Sequence, residues 1–194
     1  MFSERMRNIP VNILLVGSSH TRLFFPYVGN FLNDVTVVTK LPSDAGRTDE
    51  MLSTLSEWPL EEQDIIHVYS GHRDLIPDPD GKPYIGPEQF RANLEKIIQE
   101  ILRRTSAKIV FSNIPPVSEG FLKTDPDRNG RILHYNAIID EVAKRALIPV
   151  HDFWKFVSSY EGGEEKYIDG LHFTKDVYRD FAKALAAYLL AVLR

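Results

Sequence analysis

The stretch Asn12-Ile13-Leu14-Leu15-Val16-Gly17-Ser18-Ser19-His20-Thr21-Arg22-Leu23 constrains this chain more than any other. Ile13 to Val16 is a short continuous apolar run, the pattern of a strand buried on both faces. It breaks at Gly17 into small hydroxyl residues. Apolar residues at helical spacing follow, namely Leu23, Phe24, Tyr27, Val28 and Phe31. A strand that turns directly into a helix leaves backbone N–H groups without intrahelical partners, and the helix dipole adds positive potential there. A serine at that turn is exposed, and its own N–H can hold developing negative charge. The place suits a nucleophile or a bound anion.

The remaining chain repeats the alternation of short apolar strands and helices. Val35 to Thr39 is a β-branched run, and Leu41 to Gly46 is a loop by its proline, aspartate and glycine. A helix is predicted from about Thr48 to Glu57, ahead of Pro59. Strands are predicted at Ile65–Tyr69, Lys108–Ser112 and Ile148–His151. Between them lie a strongly periodic helix through Phe90, Leu94, Ile97, Ile98, Ile101 and Leu102, and a second helix from about Arg131 to Ala146. Two stretches, His72 to Pro87 and Asn113 to Asn129, read as long irregular connections, the kind that commonly serve binding. A loop with Gly162-Gly163 leads to Asp169-Gly170-Leu171-His172-Phe173, and Thr174 is placed to cap a last helix. Alternating strands and helices predict a parallel sheet covered on both faces. With five strands the expected architecture is α/β: a flavodoxin-like, three-layer α/β/α sandwich with sheet order 2-1-3-4-5. Ligands in such folds bind beyond the carboxyl ends of the strands, on the loops that begin at Gly17, Leu41, Ser70, Asn113 and Asp152.

A length of 194 residues suits one such domain, 1–194, with 1–10 as an N-terminal extension. The net charge of −4 and the lack of a basic stripe interleaved with aromatics argue against nucleic-acid binding. The absence of cysteine excludes disulfides, thiolate metal sites and thiol nucleophiles. Met1 to Pro10 carries charge and no apolar core, so no secretory signal is expected, and the cytoplasm is the expected location. The apolar segment Phe181–Leu193 is interrupted by Lys183 and is shorter than a bilayer span; it reads as a core-facing helix. His67 reads as a core histidine. His20, His134 and His151 show no metal-ligand spacing, and no metal site is expected.

The candidate loops present Ser18, Ser19 and His20, then Gly46, then His72, Arg73 and Asp74, and finally Asp169 and His172. A serine at a helix N-terminus, a histidine and a carboxylate are the parts of nucleophilic acyl transfer. Histidine has a pKa suited to removing the serine proton at neutral pH. Asp169 precedes His172 by three residues across a glycine, which lets the chain turn so that the carboxylate reaches the imidazole. In this order, these residues resemble the SGNH (GDSL) hydrolase family over nearly the whole length. Gly17-Ser18-Ser19-His20-Thr21 matches the first block, G-D-S-x-T. Gly46 matches the glycine of the second, Gly71-His72-Arg73-Asp74 the third, G-x-N-D, and Asp169-Gly170-Leu171-His172 the last, D-x-x-H. Tyr178 stands where the family often has tyrosine. Weaker matches are Pro115-Pro116, Tyr135-Asn136 and Asp152.

The resemblance implies a serine esterase of the SGNH fold, with Ser19 as nucleophile, His172 as general base and acid, and Asp169 orienting it. It also implies an oxyanion hole from the N–H groups of Ser19 and Gly46. Two positions depart from the pattern. Ser18 replaces the aspartate of G-D-S. Arg73 replaces the asparagine whose side chain helps bind the oxyanion, a donor worth about 10²–10³ in rate. Arg73 could take over that role, bind an anionic group on the substrate, or pair with Asp74 or a loop carboxylate; His72 is another donor within reach. The expected substrate is a small-molecule or carbohydrate ester with a short acyl or O-acetyl group, and no cofactor is implied. Two readings from other classes stand beside it. One is a catalytically weakened domain that holds an anionic ligand at the first strand–helix turn; the other is a flavodoxin-type cofactor protein.

Overall fold

The computed structural model of the protein describes residues 10–32, 36–78 and 80–194. The N-terminal extension up to residue 9 and Val35 of the second predicted strand lie outside the described residues. Five strands, β1 (Val11–Val16), β2 (Thr36–Lys40), β3 (Ile65–Tyr69), β4 (Lys108–Ser112) and β5 (Val150–His151), form one parallel sheet in the order β2-β1-β3-β4-β5. The register aligns Leu15 with His67, His67 with Val110, and Ser112 with His151. This is the topology the alternation of elements predicts.

Each central strand divides its side chains between the two faces by the period of two that a pleated strand imposes. Leu14 and Val16 of β1, Ile66 and Val68 of β3, and Ile109 and Phe111 of β4 point to one core. There they pack against α2 (Thr48–Thr54), α3 (Pro87–Arg104) and α5 (Arg128–Arg145). Ile13, Leu15, Ile65, Tyr69 and Val110 point to the other core, built with α1 (Ser19–Val28), α6 (Phe153–Ser159) and α7 (Lys175–Leu193). Ile13 to Val16 are fully buried, as their unbroken apolar run requires. α7 turns Phe181, Leu185 and Leu189 into the sheet, so the apolar C-terminal segment is a core helix. Among the described residues no helix is long and apolar enough to cross a membrane.

Several boundaries differ from the sequence expectation. The stretch Asn113–Asn129 is not irregular throughout. It contains the one-turn helix α4 (Glu119–Leu122), capped by Ser118 accepting from the Phe121 N–H at 3.0 Å, and its last two residues already belong to α5. β5 is only Val150–His151: Leu147 turns the chain at φ 55°, and Pro149 has no N–H to donate, although its carbonyl accepts from Phe111 at 3.0 Å. Asp152 does not open a loop. Its carboxylate accepts from the Lys155 N–H at 2.9 Å and so starts α6, which the sequence reading did not foresee. Thr174 occupies the N-cap position of α7 without making the side-chain bond, and its own N–H is given to the Lys166 carbonyl.

The cores hold neutral histidines. His67 in β3 is fully buried and bonded through Nε2 to Ser112 Oγ at 2.8 Å; burial pushes its pKa down to about 3. Burial likewise lowers His151 to about 4 and, beside the active loops, His20 to about 3. These values lie below the ordinary 6.5, so as pH falls through 6.5 the unfolded chain takes up protons that the folded chain refuses. Stability is therefore expected to be full above about pH 6.5 and to fall towards pH 4. In urea melts between pH 5 and 6, His67→Asn should flatten that dependence by about one proton, roughly 1.4 kcal/mol per pH unit. An unchanged slope would show that His67 is not held neutral.

Candidate active site

The carboxyl ends of β1 and β3 and the turn before α7 converge on one rim of the sheet. β1 stops at Val16, Ser18 is the extended N-cap residue, and Ser19 is the first residue of α1. Its backbone N–H therefore has no partner within the helix. On the opposite side Asp169 and His172 flank Gly170, whose φ of 82° makes the turn that folds the carboxylate back over the imidazole. Asp169 Oδ1 accepts from the Leu171 and His172 N–H groups at 3.0 and 2.7 Å, while Oδ2 lies 2.7 Å from His172 Nδ1. His172 Nε2 lies 2.8 Å from Ser19 Oγ. Ser19, His172 and Asp169 are thus brought into one hydrogen-bonded line.

The protons in that line follow from the donor inventory. Partial burial alone would push Asp169 up, yet the hydrogen bonds from the His172 and Leu171 N–H groups and the ring hold its carboxyl below the usual range. An ionised carboxylate only accepts, so Nδ1 carries the imidazole proton and Nε2 presents a lone pair to the Ser19 hydroxyl. That is the tautomer a general base needs.

Behind His172 lies a second layer that the sequence reading did not identify. His20 is buried with its ring centroid 5.2 Å from that of His172 and 5.2 Å from that of His72. The Tyr178 hydroxyl bonds His20 Nδ1 at 2.8 Å. Burial lowers His20 most, and the neighbouring His172 adds to the effect. His72 is pushed well below its ordinary value, first by burial and then by His20, Arg128 and His172. The neutral His20 ring therefore lies between His172, to which it is tilted, and the neutral His72 ring, on which it stacks.

The third-block turn is fastened from below. Asp74 is fully buried and accepts from the Thr48 N–H and hydroxyl at 2.9 and 2.6 Å and from Ser70 Oγ at 3.0 Å. Asn93 donates to Thr48 Oγ1 in turn. From above, the buried Arg128 guanidinium donates to the carbonyls of His72 and Leu75. Arg73 pairs with neither Asp74 nor Asp169. Its guanidinium lies 3.3 Å from Glu50, and the N–H of Gly46 also donates to Glu50 at 3.3 Å. The weaker matches pin loops in place. Asn136 brackets the Ile114 backbone at 2.8 and 2.9 Å, and Tyr135 donates to the Ile85 carbonyl.

A cavity of about 360 Å³ opens at this rim, with Ser19, His20, His72 and Arg73 on its floor and Ile76, Pro77, Phe121 and Leu171 among its walls. A larger hollow of about 580 Å³ beside Gln89, Arg91 and His134 has no nucleophile paired with a base. Among the described residues no group of three or more histidine, aspartate or glutamate side chains is arranged to hold a metal ion.

His20 had a local signal for its place in this layer, being adjacent to Ser19 on the first turn of α1. Glu50 could have been found as the acidic third residue of a helix that starts after Gly46-Arg47. Arg128 lies 56 positions from the carbonyl it clamps, and nothing near it in sequence announces that contact.

Comparison with known proteins agrees with the fold. A search of curated proteins finds no match. Among solved structures, a lipase/acylhydrolase from Enterococcus faecalis is similar at 23% identity with a TM-score of 0.73, covering 95% of this chain and 97% of its own. An acetylxylan esterase from Geobacillus stearothermophilus is similar at 14% identity with a TM-score of 0.75, covering 93% and 95%. A GDSL-like lipase from Bacteroides thetaiotaomicron is similar at 14% identity with a TM-score of 0.71, covering 97% and 92%. At such identities these likenesses establish the shared fold. The family model of the GDSL-like lipases and acylhydrolases matches residues 27–179, from within α1 to just past Tyr178. The chain belongs to the GDSL-like lipase/acylhydrolase family and is an ester-hydrolysing enzyme.

Proposed function

We propose that the protein hydrolyses carboxylic esters through an acyl-enzyme on Ser19. The observation that carries this reading is the 2.8 Å contact between Ser19 Oγ and His172 Nε2, with Asp169 on the far side of the same ring at 2.7 Å. As Ser19 attacks the carbonyl carbon, its proton passes to His172 Nε2. Asp169 steadies the imidazolium so formed. His172 then returns the proton to the leaving alcohol. Water repeats the sequence in reverse on the acyl-enzyme, with His172 again as base and then acid. The N–H groups of Ser19 and Gly46 hold the oxyanion, with Arg73 at the position where the family has asparagine and His72 next to it.

The substrate we propose is an ester with a short acyl group, such as an O-acetyl group on a carbohydrate or another polar alcohol. A cavity of about 360 Å³ lies near the lower end of the range for small-molecule sites, and Ile76, Pro77, Phe121 and Leu171 offer apolar contact to an acyl chain. The acetylxylan esterase activity of one protein of the same fold is in keeping with that choice. A domain that merely held an anion at the β1–α1 turn would have no use for a base and a carboxylate aligned on the serine.

A fluorophosphonate probe should label the protein stoichiometrically, and Ser19→Ala should abolish the labelling. Labelling that survives that substitution would remove Ser19 from the mechanism. Asp169→Asn should keep the fold, because the side chain is half exposed, but lower kcat on p-nitrophenyl acetate by about 10⁴. A loss below tenfold would mean that Asp169 does not set the tautomer of His172.

A further inference from the structure

The N–H that the oxyanion needs is already spoken for. Glu50 Oε2 accepts from the Gly46 N–H at 3.3 Å and from the Arg47 N–H at 3.1 Å, closing the first turn of α2. A full negative charge therefore sits on the donor that would have to stabilise a second one. Unit charges a few ångström apart at a half-exposed site repel by enough to cost about ten- to a thousandfold in rate. Arg73 answers that charge. Its Nη1 lies 3.3 Å from Glu50 Oε2 and its Nη2 3.3 Å from Oε1, so the guanidinium faces both carboxylate oxygens. The other nearby cation, Arg47, is committed to Asp49 at 2.9 and 3.1 Å and reaches Glu50 only at 3.6 Å.

The side chain of Arg73 also lies directly on Gly46. A Cβ at position 46 would fall 2.2 Å from Arg73 Cδ, 2.7 Å from Nη1 and 2.9 Å from Nε, so only glycine permits the approach. The arginine, its carboxylate partner and the oxyanion glycine form one unit, and Arg73 lines the same cavity as Ser19.

Resting on the esterase reading, we propose that Arg73 supports the oxyanion hole through Glu50. It neutralises the carboxylate that shares the Gly46 N–H, and it neither donates to the oxyanion nor reads a charge on the substrate. Glu50 keeps the Arg47 N–H and Arg73 when the Gly46 N–H is shared with the oxyanion. The asparagine of the family pattern has thus been replaced by an ion pair.

The test compares Arg73→Ala, Arg73→Met and each of these combined with Glu50→Gln. The readouts are kcat and KM on p-nitrophenyl acetate and the rate of Ser19 phosphonylation by a fluorophosphonate, whose phosphoryl oxygen also gathers charge in the oxyanion hole. Arg73→Met keeps the apolar stem over Gly46 and so separates lost packing from lost charge. Both single variants should lose about 10²-fold in kcat and in phosphonylation rate with KM nearly unchanged. Adding Glu50→Gln should restore both rates to within about fivefold of the parent enzyme. If Arg73 were itself the donor, the double variants would stay as slow as the single ones. If it read a substrate anion, the single variants would be unimpaired on this neutral ester. Either result overturns the proposal while leaving Ser19 as nucleophile; a parent protein that the probe does not label overturns both.

Discussion

The hydrogen bond between Ser19 and His172 joins positions 153 residues apart, and the molecule is arranged so that it can form. A contact of that kind contributes only about 1 kcal/mol net, far too little to draw two distant loops together. Its geometry is inherited from the frame. β1 carries Ser19 to the rim, α1 and α7 pack against one another on the same face of the sheet, and His172 lies three residues before α7 begins. The apolar burial of Phe24, Phe173, Phe181 and Leu185 holds that face together and thereby sets where hydroxyl and imidazole meet.

The electrostatics of the rim follow one pattern. Asp169 and His172 are left partly open to solvent, and the histidines behind them are buried and kept neutral. Asp169 is half exposed yet held ionised by three hydrogen-bond donors, whereas His20 and His72 are shut off from water and stay uncharged. The His172 ring therefore has a carboxylate on one side and the neutral ring of His20 on another. Tyr178, at a position where the family often has tyrosine, serves this layer by bonding His20 and receiving the Phe173 N–H.

The elements most legible from sequence were those whose side-chain pattern is set by burial on two faces. β3 and β4 have the predicted bounds because a short run rich in β-branched and aromatic residues in an α/β chain has few other uses. α6 was missed because Phe153-Trp154-Lys155-Phe156-Val157 alternates too weakly to declare a helix, and only the Asp152 cap and packing on α7 decide it. The short helix at Glu119 was hidden by Gly120, a poor helix former, and exists because Ser118 caps it. β5 is truncated by the proline and by the left-handed turn at Leu147, neither of which an apolar run reports.

The sequence by itself determined the sheet, its order, and the identity of Ser19, Asp169 and His172 as the residues to watch. The sheet rests on apolar periodicity, Asp169 and His172 on a carboxylate three residues from a histidine, and the choice of Ser19 over Ser18 on the resemblance to the G-D-S-x-T block. The tertiary structure alone decided what surrounds them. That Arg73 would face Glu50 over Gly46, that Arg128 would hold the His72 carbonyl, and that His20 would pack between two other imidazoles are matters of which loops lie side by side. Ion pairs and ring stacks of that kind depend on distances across the rim, and no spacing along the chain encodes them.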